Sequence, residues 1–144
     1  MFLFEKAYKI VIFLKFMVFV SAGIILKDKK IFLVKRVSSE ILCPNTWICP
    51  GGTNEFGESK EQTLRREVKE EVNLDFKEKG LFFTMSYFKI PIYTFLGDFK
   101  GNIKLDEKEI SDSGWFSYEE AIKLDLGFEY RKVIERLKEE GKIY

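Results

Sequence analysis

Three glutamates, Glu67, Glu70 and Glu71, are the residues whose types and spacing most clearly suggest chemistry in this 144-residue chain. They recur at intervals of three and four, so on a helix their side chains would lie within roughly one third of the circumference. Such crowding is unfavourable because like charges repel at this spacing. A divalent cation would turn the repulsion into binding energy, and a set of oxygen ligands suits Mg²⁺ or Mn²⁺. The alternative is a solvated acidic face, which is common on helices.

An apolar stripe accompanies the glutamates. Leu64, Val68 and Val72 recur at every fourth residue, which predicts a helix with one side packed on a core. The neighbouring side would then present the three carboxylates. The helix itself would therefore position the candidate ligands.

The surrounding residues resemble the Nudix box, G-x5-E-x7-R-E-U-x-E-E-x-G-U, in which U is a bulky aliphatic residue. The residues in register are Gly52, Glu58, Arg66, Glu67, Val68, Glu70, Glu71 and Leu74. The preceding WICPG, residues 47–51, also resembles the usual lead-in of the family. One position departs, since Asn73 stands where the family has a late glycine. Because asparagine is the next-best residue for the left-handed conformation that ends a helix, we expect the departure to leave the site intact.

The resemblance implies hydrolysis of a nucleoside diphosphate linked to another group X. It implies that Mg²⁺, with Mn²⁺ as a possible substitute, is held by Glu67, Glu70, Glu71 and the main-chain oxygen of Gly51. A bound cation would neutralise phosphate oxygens and acidify a water. Gly52, and the pair of Glu58 and Arg66, would support the box by bracing its loop against its helix. The alternative for this pair is an ordinary surface ion pair.

The general base is left open between two residues. Glu67 lies inside the box and is a catalytic candidate together with Glu70. Glu109 lies in an acidic loop, where several family members carry a glutamate that serves as base or extra ligand. Glu107 is the fallback in the same loop, and a solvated loop carboxylate is the alternative for Glu109.

Candidates for substrate binding are weaker. Arg36 ends a predicted strand and could clamp a phosphate through its fork of donors, although it could also be a solubilising charge. Phe128 and Tyr130 follow Gly127 where family members often contact the base, so we rank them first for stacking. Further aromatic candidates are Trp47, Phe56 and Tyr87. Core packing is the competing role for any of these aromatic residues.

The order of the predicted elements indicates an α/β protein. The resemblance implies a Nudix-like α/β/α sandwich, a mixed β-sheet with helices on both faces, and we expect residues 1–144 to form a single domain. The expected strands are 10–26 and 31–36, which form a hairpin, then 80–89 and 92–99, separated by Pro91, and a short strand closed by Trp115 and Phe116. We expect a capping box at Ser117 to Glu120 and a last helix over 128–139 that stops at Gly141.

Residues 1–16 allow several interpretations. The apolar run from Ile10 to Leu26 favours a strand because it is rich in valine, isoleucine and phenylalanine. A signal peptide or a membrane segment competes with the strand, although a central Lys15 is costly in a membrane. Met17 could be the biological start, which would make residues 1–16 an extension.

Composition limits the function classes. The 24 basic and 23 acidic residues nearly cancel, so no overall field favours nucleic acid or an anionic membrane as a partner. No histidine and only two cysteines argue against zinc and against a disulfide framework. We therefore expect a cytoplasmic monomer or homodimer that acts on a small-molecule nucleotide.

The leading expectation is hydrolysis of a (deoxy)nucleoside triphosphate or an oxidised nucleotide to the monophosphate and pyrophosphate. ADP-ribose, a nucleotide sugar and a dinucleoside polyphosphate remain open as substrates. A non-catalytic nucleotide sensor of the same fold is the alternative of a different class, although the complete set of carboxylates argues against it.

Overall fold

The computed structural model describes residues 3–9 and 17–144. Residues 3–9 form helix α1. The strands are β1 (Val20–Ile24), β2 (Leu26–Lys27), β3 (Lys30–Arg36), β4 (Trp47–Ile48), β5 (Gly51–Thr53), β6 (Asp75–Tyr87), β7 (Ile90–Lys100) and β8 (Ile110–Phe116). The remaining helices are α2 (Lys60–Val72), α3 (Tyr118–Ile122) and α4 (Tyr130–Glu139).

The strands form two sheets. The first has the order β5-β1-β7-β6, in which β1 and β7 run parallel while the other neighbours are antiparallel. In the second, β3 pairs with β2, β4 and β8. Helix α2 packs on strands of the first sheet, and α3 packs on β8 of the second and on α4. The predicted α/β class with a mixed sheet is therefore confirmed, with the strands divided between two sheets.

The predicted N-terminal hairpin pairs the wrong strand with β3. Strand β1 begins at Val20 within the predicted run, but it pairs with β5 and β7. The hairpin partner of β3 is the short strand β2, at Leu26 and Lys27. The chain changes sheets at Ile25, which is fully buried. A periodicity of two predicts strands but cannot assign them to one sheet or another. Residues 10–16 of the predicted strand lie outside the described residues.

Pro91 does not separate two strands, contrary to the prediction. The turn lies at Phe88 and Lys89, which both have positive φ angles of 49° and 66°. Pro91 is the second residue of β7 and pairs with Ser86. Pairing of β7 with β1 starts one residue later, at Ile92. Proline is tolerated there because its missing N–H has no β1 neighbour to bind.

Helix α2 begins and ends at residues suited to these positions. Ser59 and Gln62 form a reciprocal capping box at the N-terminus, which satisfies two backbone donors. Asn73 ends the helix in the left-handed conformation, with φ 65° and ψ 24°. This is the conformation expected of an asparagine that replaces the family's late glycine. Leu64 and Val68 are fully buried and belong to the side that packs on the first sheet.

The C-terminal region matches its prediction closely. Both capping-box hydrogen bonds between Ser117 and Glu120 are present. Helix α4 starts at Tyr130, two residues later than expected, and Gly141 follows it with φ 69°. Positive φ favours glycine there. Among the described residues, no helix combines the length and apolarity that spanning a membrane requires.

Candidate active site

A pair of glycines allows α2 to approach the first sheet closely. Gly51 lies opposite Ala22 and Gly52 opposite Ser21 in the β1–β5 ladder. A Cβ atom on Gly52 would overlap the carboxylate of Glu67, and one on Gly51 would overlap the main-chain oxygen of Ser21. Glycine is therefore required at both positions by close approach, and the glutamate of α2 occupies the space above Gly52.

Glu67 lies between this strand and an arginine. Its side chain is 15% exposed, and its Oε1 accepts a hydrogen bond from Nη1 of Arg66 at 2.8 Å. Burial raises the pKa of Glu67, and the nearby Arg66 opposes the rise. The carboxylate is thus held partly out of water beside other acidic groups, which favours a cationic partner.

Glu71 is the most deeply buried carboxylate of the site. It is 5% exposed, and the backbone N–H of Gly51 donates to its Oε1 at a long 3.4 Å. Burial raises the pKa of Glu71 well above its ordinary value, and the charge of Glu109 adds to the rise. A buried carboxylate with one weak hydrogen bond is costly unless a positive charge is placed beside it.

Glu58 and Arg66 form the predicted brace between loop and helix. The Arg66 guanidinium donates to both carboxylate oxygens of Glu58, at 2.8 and 2.9 Å, and to the main-chain oxygen of Thr53. The backbone N–H of Glu55 and the hydroxyl of Thr63 also donate to Glu58. The Arg66 bonds, more than the others, lower the pKa of Glu58 to about 2. The pair is bidentate and partly buried, unlike an ordinary surface ion pair.

Glu70 is the most exposed member of the acidic set. Its side chain is 59% exposed, and it contacts Nη1 of Arg66 at 3.2 Å. Arg66 therefore contacts Glu67 and Glu70 with one nitrogen. Within residues 3–9 and 17–144, no three acidic, histidine or cysteine side chains are already grouped as a metal-binding cluster. An arginine that holds two of the carboxylates accounts for this.

The residues nevertheless fit the divalent cation that the family resemblance implies. All the candidate donors are oxygens, which suits Mg²⁺ or Mn²⁺. Glu71 is buried without a guanidinium or ammonium bound to it among the described residues. The glycine pair leaves room for the Glu67 carboxylate beside the Gly51 backbone. Glu67, Glu71 and the Gly51 oxygen would hold the cation, with Glu70 as the outer, exposed ligand.

Glu109 lies close enough to the α2 carboxylates to affect their ionisation. Its negative charge raises the pKa values of both Glu67 and Glu71. Burial and the charge of Asp106 raise the pKa of Glu109 itself. Its neighbour Glu107 is not among the groups that most affect these pKa values, and both loop carboxylates are exposed to solvent. Of the two, Glu109 is the one whose charge acts on the acidic cluster.

A cleft lined mainly by apolar side chains adjoins the glycine pair. About 680 Å³ of space free of atoms lies in and in front of it, part of which is open solvent. The lining includes Val20, Ala22, Leu42, Ile48, Cys49, Gly51, Gly52, Ile92 and four of the residues discussed above, Arg36, Tyr87, Phe128 and Tyr130. The cleft therefore meets the acidic cluster at β5.

Arg36 organises the loop beside this cleft. Its Nε donates to the Leu42 oxygen at 2.9 Å and its Nη2 to Glu40 at 3.0 Å. Its guanidinium also lies over the ring of Phe128, 5.7 Å from the centroid. Two of its three nitrogens are thus bound within its own loop, while Nη1 makes no hydrogen bond to a described residue. The phosphate clamp stays a prediction.

The aromatic candidates separate into two groups. Tyr87 and Phe128 pack edge to face at 5.0 Å in the cleft wall, whereas Tyr130 is 2% exposed and contributes to the floor. Trp47 instead packs against Phe116, and Phe56 is 81% exposed outside the lining. Trp47 and Phe56 therefore do not line the cleft, and the packing of Trp47 matches the competing core role.

Sequence reasoning missed several cleft residues. Val20 and Ala22 alternate along β1 and line the cleft, and the period of two was present in the sequence. Cys49 is also buried in the lining, and burial raises the pKa of its thiol. No local signal marks Leu42, because its position depends on the loop that Arg36 organises.

Comparisons with known proteins agree with the fold described above. A family profile described as NUDIX domain matches residues 17–137. A MutT structure from a study of Aliivibrio salmonicida and Vibrio cholerae superimposes with a TM-score of 0.73 at 25% identity, covering 85% of this chain and 98% of that one. A MutT NUDIX hydrolase from Burkholderia pseudomallei gives 0.74 at 21% identity over 82% and 95%.

Two curated relatives match only in part. NAD-capped RNA hydrolase NudC from Mannheimia succiniciproducens is 40% identical over 72 residues, 48% of this chain and 27% of its own length. ADP-ribose pyrophosphatase from Methanocaldococcus jannaschii is 44% identical over 59 residues, 41% of this chain and 34% of its own length. The chain thus spans about a third or less of these relatives.

Proposed function

The chain belongs to the Nudix hydrolase family, and we propose that it is a Mg²⁺-dependent enzyme that cleaves the diphosphate linkage of a nucleotide. One observation carries the proposal. Glu71 is 5% exposed beside the Gly51 backbone, and the carboxylate of Glu67 fills the space above Gly52. These costly carboxylates lie beside Gly51 and Gly52, which also line the cleft. A purely structural role would not require them to be buried together.

The residues of the chain then have distinct tasks. Glu67, Glu71 and the Gly51 oxygen hold the cation, and Arg66 and Glu58 keep the loop in register with the helix. A bound Mg²⁺ supplies neutralisation of phosphate oxygens and a lower pKa for the attacking water. The apolar cleft wall excludes bulk water from the linkage, which strengthens the electrostatic interactions inside.

Glu109 is our choice for the general base. Its pKa is raised, which brings a carboxylate closer to the operating pH of a base catalyst. Glu67 is bound by Arg66, which makes it a poorer acceptor for a proton. Glu67 and Glu70 would therefore serve as ligands of the cation, while Glu109 would accept the proton of the water.

The proposed substrate is a (deoxy)nucleoside triphosphate or an oxidised form of one, cleaved to the monophosphate and pyrophosphate. The edge-to-face pair of Tyr87 and Phe128 supports it because such aromatic walls accommodate a planar base. The residues of the wall that contact the base are Phe128 and Tyr87.

ADP-ribose is the second candidate substrate. The partial relative named ADP-ribose pyrophosphatase is 44% identical over its matched segment. A second sugar would need room in the cleft beyond the space that the base takes. Cleavage would then yield two monophosphates instead of pyrophosphate.

A panel of nucleotide substrates tests the proposal. Purified protein with Mg²⁺ is incubated with nucleoside triphosphates, 8-oxo derivatives, ADP-ribose, nucleotide sugars and dinucleoside polyphosphates, and the phosphate products are identified by chromatography. Pyrophosphate from a triphosphate supports the leading substrate, and AMP with ribose phosphate supports the second. Tight binding of a nucleotide without any product would support the sensor interpretation instead.

A further inference from the structure

The hydroxyl of Ser21 is a buried polar group that lacks a hydrogen-bond partner. Ser21 lies in β1 and is 0% exposed. Within the described residues, its Oγ is the one buried side-chain nitrogen or oxygen that has no partner. Because buried polar groups in native proteins are almost always bonded, such an atom needs an explanation.

Ser21 faces helix α2 and not the cleft. Its neighbours Val20 and Ala22 line the cleft, and alternate residues of a strand point to opposite faces. Gly23, on the same face as Ser21, meets Val68 of α2. Ser21 is therefore on the side of the sheet where the acidic residues of the helix lie.

The strand register places this hydroxyl beside the Glu67 carboxylate. Ser21 is directly opposite Gly52 in the β1–β5 ladder, and the Glu67 carboxylate occupies the space where a Gly52 Cβ would be. Directly opposite positions of an antiparallel pair have Cβ atoms about 5 Å apart. The Ser21 side chain and the Glu67 carboxylate are therefore neighbours above the same strand pair.

The two groups are complementary donors and acceptors. The hydrogen bond from Arg66 ends on Oε1 of Glu67. The other oxygen, Oε2, lies over Gly52 and accepts no bond from the described residues. A serine hydroxyl supplies one donor that can rotate, and an ionised carboxylate can accept several. An unbonded donor and an unbonded acceptor thus share one face of the sheet.

We propose that Ser21 is a positioning residue, whose hydroxyl, unbonded in the described structure, rotates to donate to Oε2 of Glu67 and orients that carboxylate for cation binding. This inference rests on the proposed function, in which Glu67 is a cation ligand. Hydrogen bonds from residues outside the ligand set orient ligands and strengthen metal binding, typically by tenfold or more. The hydroxyl is held in place by the β1–β5 ladder, so its role depends on strand register.

Binding of Mn²⁺ alone, measured by isothermal titration calorimetry, tests the assignment. We expect Ser21→Ala to bind Mn²⁺ about tenfold more weakly than the unaltered chain. Its melting temperature without divalent cations should be unchanged or higher, since the variant removes a polar group that has no partner in the described structure.

Thr94 supplies the matched control. It is also 0% exposed, but it pairs with Ala22 on the cleft-side face of the sheet, and its hydroxyl donates to the Phe83 oxygen at 2.8 Å. We expect Thr94→Ala to lower the melting temperature and to leave Mn²⁺ affinity unchanged. Ser21→Ala should therefore weaken Mn²⁺ binding without lowering the melting temperature, whereas Thr94→Ala should lower the melting temperature without weakening Mn²⁺ binding.

Several outcomes would overturn the inference. It is overturned when Ser21→Ala binds Mn²⁺ within twofold of the unaltered chain, or when Thr94→Ala loses as much affinity as Ser21→Ala. Should Ser21→Ala not fold, Ser21→Cys takes its place in the comparison with the unaltered chain. Its thiol keeps the shape of the side chain but is a weaker donor. Failure of the proposed function is distinguishable, because then the unaltered chain itself binds no Mn²⁺ and Glu71→Gln changes nothing.

Discussion

At the residue scale, Glu71 combines deep burial with weak hydrogen bonding. Burial raises its pKa well above the ordinary value, so its ionised form destabilises the fold at neutral pH. The folded state binds the proton more readily than the unfolded state, and stability therefore falls as pH rises through the raised pKa. Such a cost is typical of a residue retained for its function.

We predict that Glu71→Gln stabilises the protein when divalent cations are absent. The neutral amide removes the ionisation cost, so the melting temperature at pH 7 should rise by roughly 3–6 °C, or about 1–2 kcal/mol. The decline of stability with rising pH should also disappear. Thermal melts in EDTA measure both effects, and Glu135→Gln on the exposed side of α4 is the control. A lower melting temperature for Glu71→Gln would contradict the account.

Glu109 gives a prediction about the pH dependence of turnover. Since its pKa is raised, the rate should fall as pH is lowered through that raised value and the base becomes protonated. Glu109→Gln should lower kcat by about 10²-fold or more and remove this limb of the profile. Glu107→Gln, two residues away in the same loop, should retain the kcat and the pH profile of the unaltered chain. Equal effects of the two variants would contradict the choice of base.

At the element scale, the brace between Arg66 and Glu58 fixes the loop against α2. We predict that Arg66→Lys destabilises the protein by about 2 kcal/mol, because lysine cannot replace a bidentate guanidinium bond to a carboxylate. Denaturant titration measures the loss. Arg65→Lys is the control, since Arg65 also binds Glu78 through two nitrogens but is half-exposed, so that solvent screens its pair. An equal loss of stability in both variants would show that the pair of Arg66 and Glu58 contributes no more than an exposed ion pair.

The same brace contributes a dependence on acid. The pKa of Glu58 is lowered from 4.5 to about 2, so the unfolded state binds the proton more readily. The contribution to stability is therefore complete above about pH 4.5 and is lost as pH falls toward 2. In Arg66→Lys this dependence should become weaker.

The end of α2 tests the one departure from the family motif. Asn73 has φ 65°, and its Nδ2 donates to the Asn102 oxygen at 3.1 Å. We predict that Asn73→Ala costs about 1 kcal/mol, because alanine tolerates the left-handed conformation poorly and loses the bond. Asn73→Gly should be nearly neutral. Chemical denaturation of both variants measures this, and equal costs would contradict the role of the conformation.

The local parts of the structure could be predicted from the sequence. Capping boxes, the apolar stripe of α2 and the left-handed Asn73 depend on neighbouring residues, so local patterns indicate them. The brace of Glu58 and Arg66 followed from the register of the motif. These elements carry most of the candidate site.

Long-range arrangement could not be predicted in the same way. The distribution of β1 and β2 between two sheets depends on pairing with β5, β7 and β3, which periodicity does not encode. Pro91 was misread because its tolerance depends on where the β1 partner begins. The sequence could not show which aromatic candidates line the cleft, because the number of aromatic residues says nothing about which ones face it.

At the scale of the whole molecule, residues 1–16 lie outside the range that the family profile matches. The family profile begins at residue 17, where the Met17 oxygen accepts a bond from Asn54. Helix α1 exposes its apolar residues Leu3 and Phe4 at 84% and 82%. We predict that removing residues 1–16 leaves the melting temperature and hydrolysis unchanged. A loss of either would show that this segment is part of the working domain.

The most direct test of the central claim is the cation dependence of hydrolysis, measured with the best substrate of the panel. The account predicts turnover with Mg²⁺, none after removal of divalent cations by EDTA, and recovery on adding Mg²⁺ or Mn²⁺. Glu71→Gln should lose turnover by about 10³-fold or more with Mg²⁺ present, while Glu135→Gln keeps it. Turnover that persists in EDTA, or in Glu71→Gln, would contradict the claim that these carboxylates hold a catalytic cation.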